Sequence, residues 1–196
     1  MKKTGLLFGS FNPVHTGHLI IAEYFATQTE MDEVWFVVSP HNPLKEIALL
    51  EAEHHRLAMV KLAVKDNPHL HACEIEFTMR KPSYTIDTLH VLKDSFPKNE
   101  FILLMGEDNL PALHQWKSYQ EILSSYEIYV YPRLNTTGTS LSPIQWEKHR
   151  IKFFPAPRLE ISATRLREII SQDKSTRYLL HDDVVKYINT HQLYRS

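Results

Sequence analysis

Short, wholly apolar runs alternate with amphipathic stretches along the first two thirds of the chain. Leu6-Leu7-Phe8 is closed by Gly9, Val34-Trp35-Phe36-Val37-Val38 by Ser39-Pro40, and Phe101 to Met105 by Gly106. Uninterrupted apolar runs of this length suit strands covered on both faces, as in a parallel sheet. The intervening spacing predicts helices from Thr16 to about Thr27, from Glu51 to Val64 and from Tyr84 to about Ser95. Ser83 is the expected cap of the third helix, and Pro82 stops the segment before it. Further strands are expected from Leu70 to Phe77, from Ile128 to Tyr131 and around Ile151 to Phe154, followed by helices near Thr164 to Ser171 and Asp182 to Thr190. Leu134 to Pro143, rich in Thr, Ser and Asn, reads as a loop. Strands alternating with helices predict an α/β fold: a doubly wound, mainly parallel sheet with helices on both faces, whose ligands lie beyond the carboxyl ends of the strands. The expectation is one domain over 1–196, with about 160–196 forming a small C-terminal helical part.

Composition narrows the partners. Lys and Arg number 22 against 23 Asp and Glu, a formal net charge of -1, so there is no general basic field to hold a nucleic-acid backbone. An anion must be caught by locally placed groups. The one cysteine, Cys73, rules out an intramolecular disulfide framework and a multi-cysteine zinc site, and within a strand-like stretch it reads as a core thiol. Met1-Lys2-Lys3-Thr4 lacks the apolar run of a signal peptide, and no later run is long enough to span a bilayer, so no membrane partner and a reducing cytoplasm are expected.

The candidate chemistry begins at Gly9-Ser10-Phe11-Asn12-Pro13-Val14-His15-Thr16-Gly17-His18, which holds two of the chain's five glycines. It joins the first strand to the first helix, where unpaired N–H groups and the helix dipole favour an anion. Gly9 is expected to let the backbone approach a phosphate, and Gly17 to let something pack tightly on the first helical turn. His15 and His18 are three apart and share one side of the helix, so both imidazoles can donate to one phosphate. They do not read as zinc ligands, because no Glu follows the first His and no cysteine assists; no protein metal ligands are assigned. His54-His55-Arg56 reads as a solvated helix face. No Gly-x-Gly-x-x-Gly follows any strand, which argues against a nicotinamide-cofactor dehydrogenase.

The first stretch resembles the Gly-x-Phe-x-Pro-x-His-x-Gly-His signature of the nucleotidylyltransferase superfamily. Ile161-Ser162-Ala163-Thr164-Arg165-Leu166-Arg167 is similar to its second mark, Ile-Ser-Ser-Thr-x-x-Arg. Within that superfamily the whole chain resembles the bacterial nicotinate-nucleotide adenylyltransferases. Pro82 to Leu89 looks like their Pro-Ser-Tyr-Thr-x-x-Thr-Leu element, Gly106-Glu107-Asp108 their Gly-x-Asp, and Trp116 the tryptophan that stacks on the pyridine ring. The resemblance implies a Rossmann-like fold and adenylyl transfer from ATP to nicotinate mononucleotide with Mg²⁺ accompanying ATP. The product would be deamido-NAD, formed by direct in-line attack.

By the same resemblance the ATP site comprises Gly9, Ser10, Phe11, His15, His18, Gly106, Asp108, Arg133, Ile161, Ser162, Thr164 and Arg167, with His15, His18 and Arg167 as the catalytic set. The mononucleotide site comprises Lys45, Tyr84, Thr85, Asp108 and Trp116. Physically, Ser162 or Thr164 can cap a helix and Arg167 offers a forked donor to phosphate oxygens. Superfamily members that act on phosphopantetheine or use CTP are the nearest alternatives, and the Pro-Ser-Tyr-Thr element, Gly-Glu-Asp and Trp116 argue against them. Oligomeric state, a homo-oligomer included, stays open.

Overall fold

A computed structural model describes residues 1–40, 50–133 and 150–195. In chain order the elements are β1 Lys2–Gly9, α1 Thr16–Gln28, β2 Glu33–Val38, α2 Glu53–Val64, β3 Leu70–Cys73, α3 Thr85–Ser95, β4 Asn99–Gly106, α4 Tyr119–Ser125, β5 Glu127–Tyr131, β6 Ile151–Phe153, α5 Ala163–Ser171 and α6 Asp182–His191. Short 3-10 segments, Ile75–Thr78 and Glu107–Gln115, precede α3 and α4. The described strands form one parallel sheet in the order β3-β2-β1-β4-β5-β6. The doubly wound arrangement expected from the apolar runs is present.

Two-residue periodicity sends each strand's side chains to two separate cores. Val34, Phe36, Val38, Ile102 and Leu104 join the face covered by α1 and α2, which supply Phe25, Met59 and Val60. Val37, Leu103, Met105, Ile128 and Val130 join the opposite face, covered by Ile86, Leu89 and Leu92 of α3 and by Ile122 of α4. The C-terminal helices add Leu166, Ile170, Val184 and Ile188 to the first of these cores. Strand order reverses between β1 and β4, whose Leu7 and Leu104 are register partners. A crevice at such a switch point, beyond the carboxyl ends of the strands, is where open α/β sheets bind ligands.

Two expectations change. The strand expected from Leu70 to Phe77 stops at Cys73, and the 3-10 turn Ile75–Thr78 replaces its second half. Phe77 N donates to Glu74 O and Met79 N to Glu76 O, while the Glu76 carboxylate turns inward to accept from Ser83 and Thr88. Arg56, assigned to a solvated face with its two histidine neighbours, is only 1% exposed and lies on the buried stripe of α2 with Met59, Val60 and Val64. The Leu134 to Pro143 loop and Lys45 lie outside the described residues.

Candidate active site

The turn from β1 into α1 folds back on itself. Phe11 takes a left-handed backbone (φ 46°), a costly conformation for a bulky residue, and its ring lies against Phe36 (5.4 Å between centroids) and edge-on to His18 (5.1 Å). A Cβ on Gly9 would meet that ring at 2.9 Å. The side of Gly9 that a Cβ would occupy is filled by the Phe11 ring, while the glycine backbone borders the larger cleft. Gly17 does what was expected: a Cβ there would stand 3.1 Å from the His15 ring and 3.4 Å from Ile161, so the late motif packs on the first turn of α1.

His15 caps α1 and His18 sits at its third position, with rings stacked at 3.6 Å. The His15 N–H donates to His18 Nδ1 (3.3 Å), which places the His18 hydrogen on Nε2. The His18 amide, facing the His15 ring, donates to His15 O (2.9 Å), and His15 Nδ1 stays buried without a partner among the described residues. Burial, helped by the Arg133 guanidinium, holds His15 at a pKa of about 4, so it is neutral near pH 7. Ser10 Oγ is a second buried atom of this loop with no partner among the described residues. Two orphaned polar atoms in one loop are costly unless a ligand completes them. The α1 terminus itself is partly spent, because Thr16 N donates to Leu179 O (2.9 Å).

Arg56 fastens this loop from beneath. Its Nη1 donates to Ser10 O (2.6 Å) and Ser39 O (2.8 Å), Nη2 to Pro40 O (2.7 Å) and Nε to Glu51 O (2.9 Å). One buried guanidinium thus ties the segments that follow β1 and β2. From the other side Arg167 Nη1 donates to Asn12 O (2.8 Å), and the buried Tyr194 hydroxyl to Asn12 Oδ1 (2.9 Å). The early and late motifs therefore meet in direct contact. Ser162 caps α5, accepting from Arg165 N, and Thr164 Oγ1 accepts from Arg167 Nη2 (3.3 Å).

Two clefts open along the carboxyl ends of the strands and share Leu7, Tyr131 and Arg133 as a common wall. The smaller, only about 10 Å³, is bounded by His15, Gly17, His18 and Ile161. The larger, about 460 Å³, is bounded by Gly9, Tyr84, Thr85, Gly106, Asp108 and Trp116, together with the buried Ser39, Glu76 and Ser83. Arg133 Nε lies 3.7 Å from Asp108 Oδ2 at their junction. A side chain on Gly106 would collide with Asp108, which explains the glycine there. Of the expected residues, Ser10, Phe11, Ser162, Thr164 and Arg167 border neither cleft and instead shape the loops around them. Ser83 does not cap α3: its hydroxyl donates to Glu76 (2.6 Å), and the cap position falls on Tyr84 with no side-chain bond.

Sequence reasoning missed Arg56 and Glu76. Arg56 could have been found by its register, since with Met59, Val60 and Val64 it keeps an i, i+3, i+4, i+8 stripe. Glu76, 2% exposed, carries only the weak signal of an acid between Ile75 and Phe77.

Residues 6–169 match the cytidylyltransferase-like family model. A Flavobacterium psychrophilum protein named "Probable nicotinate-nucleotide adenylyltransferase" is 48% identical over 194 residues, 99% of this chain and 100% of its own length. The chain belongs to the nicotinate-nucleotide adenylyltransferase family. A Bacteroides fragilis protein of the same name is 41% identical over 186 residues, 95% of this chain and 90% of its own. Among solved structures, the Plasmodium falciparum nicotinic acid mononucleotide adenylyltransferase complexed with NaAD superposes with a TM-score of 0.82 over 99% of this chain and 98% of its own, at 18% identity, which is a likeness of fold. As in other nicotinate-nucleotide adenylyltransferases, this chain is an enzyme built on a Rossmann-like sheet. No helix among its described residues is long and apolar enough to cross a membrane.

Proposed function

We propose that the chain transfers the adenylyl group of ATP to nicotinate mononucleotide by direct in-line attack, giving deamido-NAD and pyrophosphate. The observation that carries this reading is the pair of clefts meeting at Arg133, one bordered by two stacked imidazoles and the other by a tryptophan. The reaction joins two nucleotides end to end, and the shared wall is where their phosphates would meet. The smaller cleft would widen to take ATP, with its phosphates over His15 and His18. The larger would hold the mononucleotide, with the pyridine on Trp116, its carboxylate at the first turn of α3 beside Tyr84 and Thr85, and a ribose hydroxyl on Asp108. Lys45 remains an expected phosphate contact.

The mononucleotide phosphate is itself the nucleophile, so no side chain need form a covalent bond. The protein's share is positioning and charge neutralisation. A neutral His15 donates without carrying charge until phosphate arrives, while Arg133 supplies a permanent positive charge at the junction. Arg167, bound to Asn12 O and Thr164 Oγ1, holds the phosphate loop against the start of α5. Mg²⁺ accompanying ATP would supply neutralisation of the phosphate oxygens, keeping most of its waters, with no side chain of this chain assigned to hold it. A single buried thiol and NAD biosynthesis both suit the cytoplasm.

The direct test is pyrophosphate release from ATP and Mg²⁺ with nicotinate mononucleotide, with its amide, and with phosphopantetheine. Turnover with the nicotinate compound at least about tenfold above the amide is expected, because a buried site that serves a carboxylate leaves groups unpaired around an amide. Release with phosphopantetheine alone would overturn the reading. Trp116→Ala should raise the mononucleotide KM roughly tenfold while leaving kcat and the ATP KM within about twofold, since stacking contributes about 1–3 kcal/mol of largely uniform binding. Initial rates over both substrate concentrations check it.

A further inference from the structure

The larger cleft carries Lys117 and Arg133 on its lining, yet a nearly fully buried carboxylate, Glu76, also borders it. Nothing in adenylyl transfer requires an acid there. Its two oxygens are both occupied: Ser83 Oγ donates to Oε2 (2.6 Å) and Thr88 Oγ1 to Oε1 (2.8 Å), and Ser39 also hydrogen-bonds the carboxylate. Those donors come from both sides of the first turn of α3 and from the end of β2. Ser39 N in turn donates to Gly9 O (2.9 Å), so the network runs from the β1 loop to α3 through one buried acid. Thr88 Oγ1 also lies 3.2 Å from Tyr84 O, so its one hydrogen is shared, chiefly with the carboxylate, beside the turn that carries Tyr84 and Thr85.

The network has a second consequence. With the Ser83 hydroxyl spent on Glu76, no side chain caps α3, and Thr85 stands at the helix start facing the cleft. The early N–H groups of a helix are strong anion donors when no cap competes for them.

We propose that Glu76 is a positioning residue for the mononucleotide half of the reaction: through Ser83 and Thr88 it sets the first turn of α3 so that the turn reads the carboxylate on the pyridine ring. This rests on the assignment of nicotinate mononucleotide to the larger cleft. Glu76 touches no substrate. Its effect on the mononucleotide passes through the hydroxyls of Ser83 and Thr88, while Ser39 holds the same carboxylate from the end of β2.

The experiment is a mutant cycle read by initial rates. Glu76→Ala should raise the KM for nicotinate mononucleotide about tenfold or more, with kcat and the ATP KM within about twofold, and should narrow the preference for the acid over the amide. Ser83→Ala with Thr88→Val should reproduce that defect. Adding Glu76→Ala to that pair should raise the KM no further, because groups acting as one unit are non-additive. Glu76→Gln, which keeps the volume and one acceptor oxygen, carries the same cycle with a smaller first effect if the alanine variant does not fold.

An equal rise in both KM values would mean that Glu76 only supports the fold, and a fully additive cycle would mean direct contact with substrate. Either overturns the proposal. If the unsubstituted protein forms no pyrophosphate with nicotinate mononucleotide, the substrate assignment falls and takes this inference with it. Normal turnover with an additive cycle removes only the role of Glu76.

Discussion

His18→Ala should lower kcat about 10²–10³-fold while the mononucleotide KM stays within about twofold, the loss typical when one preorganised donor to developing charge is removed. The expectation follows from how the ring is held. Its Nδ1 accepts the His15 N–H, its face stacks on His15, and its edge meets Phe11, so the Nε2 hydrogen is fixed in direction before substrate arrives. A donor that needs no reorganisation acts mainly on the transition state, where negative charge gathers on the transferring phosphate, and so it appears in kcat rather than in binding. His18→Gln, which keeps an N–H near the same reach, should recover part of the rate. Stopped assays for pyrophosphate, with mononucleotide affinity measured separately by calorimetry, separate the two quantities. Near-normal kcat in the alanine variant would remove His18 from the reaction. His15 is the less informative target, since a buried cap with a neutral ring contributes to the fold as well.

The sheet was legible because its central strands each carry an uninterrupted apolar run, Leu6 to Phe8, Val34 to Val38 and Phe101 to Met105, the pattern of two-sided burial. β1, β2 and β4 fall within a few residues of their expected limits for that reason. β3 was overrun because Glu74-Ile75-Glu76-Phe77 alternates like a half-buried strand. Three hydroxyl donors outside the segment, Ser83, Thr88 and the more distant Ser39, outweigh that local preference by drawing Glu76 inward. The early motif was legible as a unit, but the reason for Gly9 was not, since nothing local says that Phe11 turns left-handed and lays its ring over the glycine. Convergence of the early and late motifs was inferred from resemblance. What joins them physically is Arg167 on the Asn12 carbonyl, a contact between positions 155 residues apart. Arg56 was misread because charge was weighed above register: a guanidinium next to two histidines suggests solvent, whereas its partners are carbonyls of loops that no sequence pattern locates.

Arg56→Leu should therefore be the most destabilising single change in the described part of the protein, by roughly 3–5 kcal/mol, because removing a buried charge partner leaves the groups around it unpaired in a dry interior. Those groups are the carbonyls of Ser10, Ser39, Pro40 and Glu51, and leucine satisfies none of them. For a chain of this length that loss lowers Tm by about 6–20 °C. Arg56→Lys should fall between, since one ammonium has three donors on a single atom and cannot span the spread that the planar fork covers. Activity should reflect the same geometry. Ser10 belongs to the loop beside the imidazoles and Ser39 to the wall of the larger cleft, so loosening both should raise the KM of ATP and of the mononucleotide together, unlike the one-sided effects expected for Trp116 and Glu76. Thermal and urea unfolding, with initial rates below the transition, test both halves. A Tm within about 2 °C of the unsubstituted protein would show that water or neighbouring groups replace the four bonds, and that the guanidinium does not hold the two loops in place.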